Sequence, residues 1–184
     1  MYRMLAATVL GFAVLMTGVY AGGTLKSGPQ NGQDVPGPFH PLNVTGESAG
    51  KKACLYCANG ANPVAVVFAR EATPAVAKLL KQLDKATVDN AKAEMGSYAV
   101  FCSDKDGLDK ALEKLAKDQK LTKLVLAIDN PAGPEKYKIA KDAEVTVLLY
   151  TNFEVKANHT FRKGDLTDAA IKSVVADVAK ITPK

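Results

Sequence analysis

The sequence predicts an α/β domain: a central mixed β-sheet flanked by helices, preceded by an N-terminal β extension. Three observations predict it. Residues 64–69, Val-Ala-Val-Val-Phe-Ala, form the unbroken apolar, β-branched run that a strand buried on both faces requires. Thr73-Pro74 then opens a helix. Thr73 is a good cap, Pro74 fits the first helical position, and Val76, Leu79, Leu80 and Leu83 follow at helical spacing. The same strand-then-helix order recurs at 98–102 and 104–119, where Leu108, Leu112 and Leu115 share a face. Such alternation implies parallel crossovers within one sheet.

In chain order, the first 21 residues stand apart. Met1-Tyr2-Arg3 carries one cation, residues 4–19 are apolar apart from Thr8 and Thr17, and Val19-Tyr20-Ala21 ends the run before Gly22-Gly23. These are the parts of a secretory signal peptide, expected to be removed after Ala21. The protein is then exported, to a periplasm or the extracellular space, with no membrane contact after cleavage. The alternative is an uncleaved membrane anchor, for which the apolar stretch is of borderline length. Residues 22–38, rich in Gly, Pro, Ser and Gln, read as a flexible linker or an extended arm, and residues 39–184 as the domain.

Within the domain, 42–45 and 51–57 read as short strands and 58–63 as a turn. Residues 124–128 are a further strand and 130–134 a loop. Residues 145–150 and 155–161 form a hairpin across 151–154. Residues 165–181 are a last helix with Ala169, Ile171, Val174, Val175 and Val178 on its apolar face.

A chain of 184 residues suffices for one domain with a core, and 47% apolar with 23% charged residues is ordinary for a globular protein. The net charge of +5 comes mainly from lysines dispersed among acids. No basic stripe interleaves with aromatics, so nucleic acid is not an expected partner. The sequence has no Ser-His-Asp set, no phosphate-cradling glycine loop and no dinucleotide fingerprint, and no cofactor is predicted. Cys54, Cys57 and Cys102 are odd in number, so at most one internal bridge forms and one thiol remains. Two sequons, at Asn43 and Asn158, are short enough to arise by chance.

The element order, the passage from Gly50-Lys51 into residues 64–68, the stretch 68–76, and the hairpin with its final helix together resemble the thioredoxin-like superfamily, especially its peroxiredoxin and secreted thiol-reductase branches. The resemblance spans roughly residues 39–181. It implies a sulfur nucleophile at the start of the helix that follows the first core strand, where free N–H groups stabilise a thiolate. Here that place reads Ala72-Thr73-Pro74-Ala75, and the Thr-Pro-x-Cys of peroxiredoxins becomes Thr73-Pro74-Ala75-Val76. The family's proline before a threonine at the later strand is replaced by Val145 before Thr146. Neither standard mechanism carries over at these positions.

Cys54-Leu55-Tyr56-Cys57 lies ahead of the core strand instead. In a flat strand, residues i and i+3 point to opposite faces, so either this segment is not a regular strand or its cysteines do not pair. Three readings stay open. The pair is a displaced redox dithiol, with Lys51 and Lys52 favouring the thiolate by charge. It is half of a metal site, for which His40, His159 and Cys102 are the other candidate ligands. Or it is a structural disulfide. The corresponding functions are a thiol–disulfide exchange protein acting on a protein thiol or disulfide, and a non-enzymatic binding or assembly module. Among other residues, Cys102 is expected in the core, His159 exposed on the hairpin, and Arg70-Glu71 as an ion pair at the sheet edge where the resemblance places substrate.

Overall fold

The computed structural model describes residues 25–183, so the signal segment expected at 1–21 lies outside the described residues. Six strands form one sheet in the order β1-β4-β3-β2-β5-β6. They are β1 (Leu42–Asn43), β2 (Val64–Ala69), β3 (Gly96–Cys102), β4 (Val125–Asp129), β5 (Val145–Thr151) and β6 (Glu154–Phe161). Strands β2, β3 and β4 are parallel, while β1, β5 and β6 pair antiparallel with their neighbours. Every residue of β2 is buried, as its unbroken apolar run requires of a strand covered on both faces.

Helices α2 (Pro74–Asp89), α3 (Leu108–Gln119) and α4 (Asp168–Ala176) bury their apolar sides with Ala65, Val67, Phe101, Leu126 and Leu149 on one face of the sheet. Thr73 caps α2 by accepting from Val76 N at 3.2 Å. The crossovers from β2 to β3 to β4 run in one direction, so their helices share a face. The other face, with Val64, Val66, Phe68, Tyr98 and Tyr150, is covered differently. It packs against the short helix α1 (Leu55–Asn59), the arm residue Val35, and the turn at Glu135–Tyr137 in the crossover from β4 to β5.

Four sequence expectations change. The helix expected at 104–119 begins only at Leu108, after Gly107 in the left-handed region. Of the two readings of residues 22–38, the described part, 25–38, is the arm, and it is packed rather than flexible. Gly32 N donates to Val155 O and Val155 N to Gln33 O, so the arm covers the outer edge of β6. Ser27, 1% exposed, shares a 2.7 Å hydrogen bond with Thr146 Oγ1. The strand expected at 51–57 reduces to a single bridge between Lys52 and Leu42, after which the chain turns into α1. The final helix begins at Asp168, capped by Thr167, and tightens into a 3-10 turn over Asp177–Lys180. Both sequon asparagines are built into the fold. Asn43 is buried, and Asn158 Nδ2 donates to Ser27 O and Pro29 O, both at 2.8 Å.

Candidate functional site

Cys54 and Cys57 are joined by a disulfide across α1, with Cα atoms 5.3 Å apart. One helical turn brings residues i and i+3 to that separation, which lies within the range a bridge needs; a strand would hold them too far apart. This is the physical reason the segment is a helix. Leu55 is buried against the sheet, and Asn59 Nδ2 donates to Leu55 O at 2.7 Å, closing the turn from within. Gly60, at φ 54°, ends it. Tyr56 packs against Tyr150 and Phe153, with ring centroids 6.5 and 5.5 Å away.

The two sulfurs are not equivalent. Cys54 is half-buried and occupies the helix cap, where its Sγ accepts from Cys57 N at 3.0 Å. Cys57 is exposed on the outer side of α1. Lys51 and Lys52 are exposed just ahead of the pair. The phenols beneath α1 cannot act as bases for it. Burial pushes Tyr98 well above its ordinary range and Tyr150 up to about 12, and Tyr137 donates its hydroxyl to Gly37 O.

The helix sits toward the start of the strands. Asn59 Oδ1 lies against Gly96, the first residue of β3, so closely that a Cβ there would come within 1.6 Å of it. The opposite end of the sheet, where the resemblance implies a nucleophile, holds a cleft of about 720 Å³ between the starts of α2 and α3, lined by Arg70, Thr73, Cys102, Asp104 and Lys105 among others. The candidate sulfur there is Cys102, buried at 3% exposure with its thiol pushed up to about 12 by burial, which outweighs the opposing pull of Arg70. Among the described residues no peptide bond is cis, so Val145-Thr146 does not reproduce the family's proline geometry.

Other singled-out residues have structural partners. Arg70 does not pair with Glu71. Its guanidinium donates to the carbonyls of Pro131, Ala140 and Ala143, tying the crossover to the end of β2, while Glu71 lies 3.6 Å from Lys163. A charged pair adjacent in sequence suggested an ion pair; only the fold brings three carbonyls within reach of the guanidinium fork. His159 is not free on the hairpin but 3.0 Å from Asp177 Oδ2 in the turn after α4. His40 is exposed. No three His, Cys, Asp or Glu side chains gather as a metal site among the described residues, so His40, His159 and Cys102 do not complete a ligand set with Cys54 and Cys57. The sequence reading missed Asp84, Arg70 as a backbone anchor and the inequality of the two bridged sulfurs; each depends on contacts that only the fold makes, and none had a local signal.

No protein-family model and no curated protein matches the chain. Solved structures do. A candidate protein disulfide isomerase from Bacteroides thetaiotaomicron aligns with a TM-score of 0.65 at 13% identity, covering 87% of this chain and 96% of that one. Peroxidoxin BcpB from Mycobacterium tuberculosis aligns with a TM-score of 0.60 at 14% identity, covering 86% and 99%. The thioredoxin domain of a thiol-disulfide oxidoreductase from Bacteroides vulgatus aligns at 0.55 and 16% identity, covering 79% and 99%. The chain therefore has a thioredoxin-like fold, a six-stranded mixed sheet flanked by helices with an N-terminal strand extension.

Proposed function

We propose that the chain is an exported thiol–disulfide exchange protein whose reactive centre is the Cys54–Cys57 pair. The observation that carries the proposal is the disulfide on α1, with one cysteine exposed and the other seated at the cap. Its redox-family fold supports the reading, but a fold alone does not establish a chemistry. The apolar segment at 1–21 supports export and cleavage after Ala21 into a compartment where a disulfide persists.

In the oxidising direction, a thiolate on a partner protein attacks Cys57 Sγ. A bond forms between the partner sulfur and Cys57, the Cys54–Cys57 bond breaks, and its electron pair leaves on Cys54 Sγ. The Cys57 N–H already points at that sulfur and stabilises the leaving thiolate, and a better-stabilised thiolate leaves faster. A second thiolate of the partner then attacks the partner sulfur of the mixed disulfide and expels Cys57, and Cys54 and Cys57 each take up one of the two protons that the partner's thiols gave up on ionising. The partner loses two electrons and becomes a disulfide; Cys54 and Cys57 become the dithiol. Run in reverse, the exposed Cys57 is the attacking sulfur and Cys54 the resolving one, the opposite order to a pair whose first cysteine is the exposed one.

Thiol trapping with mass spectrometry across a dithiothreitol or glutathione series tests the proposal. A midpoint between about −120 and −270 mV, the span of exchange catalysts, is expected. With an insulin disulfide as model substrate, Cys54→Ser accumulates a mixed disulfide through Cys57, while Cys57→Ser accumulates little. A midpoint below about −300 mV, or equal trapping by the two variants, overturns it. The second reading, a non-enzymatic binding or assembly module with a structural disulfide, then takes its place. The large cleft at the strand ends favours that reading, because the cysteine lining it is buried and held protonated.

A further inference from the structure

The chain reverses from β5 to β6 through the two-residue turn Asn152-Phe153, with both residues in the left-handed region at φ 51° and 64°. Glycine is the favoured residue at the second place of such a turn, and a bulky aromatic there is an outlier because its Cβ is strained. The ring is not what holds the turn in place. Asn152 N donates to Ala61 O at 2.9 Å and Val35 N donates to Phe153 O at 2.7 Å, so the backbone seats the tip on both sides. Phe153 is nevertheless 38% exposed. Strain kept at a position whose side chain stands partly in water points to a use for that side chain.

Its ring neighbour is Tyr56, the residue just before Cys57, with centroids 5.5 Å apart. A helix turns about 100° per residue, so Tyr56 and Cys54 fall on opposite flanks of Cys57. That placement matters for the chemistry. A thiolate attacks a disulfide nearly in line with the bond it breaks, entering at one sulfur from the side opposite the other. An in-line approach to the exposed Cys57 therefore comes over the flank that carries Tyr56. The same line runs away from Cys54 toward the exit of α1, where Ala61 meets the hairpin tip. The two aromatic rings thus border the path that an attacking sulfur takes.

We propose that Tyr56 and Phe153 are specificity-determining residues: a platform for an aromatic side chain adjacent to the cysteine of a partner polypeptide. The step they serve forms a bond between the partner sulfur and Cys57 Sγ and breaks the Cys54–Cys57 bond, whose electron pair leaves on Cys54 Sγ. The platform selects which thiol reaches Cys57 and takes no part in the electron transfer. Its meaning in substrate choice rests on the exchange reading of Cys54–Cys57; the aromatic contact itself does not.

The test uses two capped tripeptides, each with a central cysteine, flanked by phenylalanine in one and by serine in the other. With the sulfur methylated, so that nothing exchanges, each is titrated into the purified chain and followed by NMR. The phenylalanine peptide shifts the ring resonances of Tyr56 and Phe153 and binds roughly fivefold tighter than the serine peptide, as one aromatic contact allows. Phe153→Gly removes that preference while its urea midpoint equals or exceeds the parent's, because glycine suits the turn. A ring kept only for packing would instead give a lower midpoint. Equal binding of the two peptides, a preference retained in Phe153→Gly, or a lowered midpoint overturns the proposal without touching the redox assignment. With free thiols, the phenylalanine peptide should form the mixed disulfide at Cys57 about fivefold faster, read by mass spectrometry after acid quench, and equal rates also overturn the proposal. If neither peptide forms a mixed disulfide while the methylated pair keeps its preference, the platform stands and only the exchange reading falls.

Discussion

Asp84 offers the sharpest test of how this domain is held together. It sits on α2, is 4% exposed, and reaches to the turn between α3 and β4. Its Oδ1 accepts from Thr122 N at 3.0 Å, Lys123 N at 2.7 Å and Leu124 N at 2.8 Å, and Oδ2 accepts from the Thr122 hydroxyl at 3.3 Å. Burial alone would raise its pKa, yet the three backbone N–H groups and the hydroxyl outweigh burial and hold the carboxyl below the usual range. Asp84→Ala orphans these donors. Thr122 and Lys123 are exposed and their N–H groups can turn to water, whereas Leu124 is buried. With bonds to a charged acceptor worth about 1.5–3 kcal/mol each, and two of the three amides rehydrated, the loss is about 3–4 kcal/mol. Asp84→Asn keeps Oδ1 as an acceptor and loses only the charge, costing about 1–2 kcal/mol at pH 7.

The pH dependence of that second variant is the decisive part. A carboxyl whose folded pKa lies below its unfolded one stabilises the protein fully above the unfolded value, near pH 4. That contribution is lost as pH falls through the folded value. The deficit of Asp84→Asn should therefore shrink on acidification and vanish once Asp84 is protonated in both states. Urea unfolding by far-ultraviolet circular dichroism, suited to a chain without tryptophan, measures it at pH 7 and at successively lower pH. An alanine variant within 1 kcal/mol of the parent, or an asparagine deficit that stays constant down to pH 3, would refute the reasoning.

Gly96→Ala places a Cβ against Asn59 Oδ1, forcing that side chain to swing and give up its bond to Leu55 O. A loss of roughly 1–3 kcal/mol and faster reduction of the disulfide by dithiothreitol are expected, and unchanged values for both would show that α1 does not depend on this seat. Arg70→Met removes three hydrogen bonds to the crossover carbonyls and should lower stability by about 2–3 kcal/mol. Arg70→Lys should recover less than half, because an ammonium lacks the planar fork that reaches three carbonyls; calorimetric melting that ranks lysine with arginine would contradict this.

The parts of the fold legible in the sequence are those whose signal is local and periodic. The run at 64–69 is apolar at every position because β2 is covered on both faces, and Thr73-Pro74 with Val76, Leu79, Leu80 and Leu83 carries a cap and a buried stripe. The hairpin of β5 and β6 was legible for the same reason. The arm was not. Its Gly, Pro, Ser and Gln report backbone freedom, whereas what holds Ser27 in place is Thr146, 119 residues away. Helix α1 was equally opaque, since five residues are too few to show a period and its turn depends on a bridge and on a seat at Gly96. The cysteines themselves were visible; their unequal exposure was not, because it depends on which side of α1 meets the sheet.

Burial separates the three sulfurs in the exchange proposed here, and with it the role each would have. Cys102 borders the large cleft, but burial pushes its thiol up to about 12 and keeps it protonated at neutral pH, so it is a poor nucleophile where it stands. In the exchange proposed for it, Cys57 would escape this restriction because, within a disulfide, it is the electrophile: the thiolate would come from the partner, and what this chain would have to supply is access to one sulfur and stability for the other. Exposure of Cys57 meets the first need and the N–H held 3.0 Å from Cys54 Sγ the second. Both features arise from a single short helix whose inner face is anchored by Leu55 and Asn59. A thioredoxin-like sheet that lacks a usable sulfur at its strand ends can thus still present a disulfide at its strand starts, with the roles of the two cysteines set by which side of that helix faces solvent.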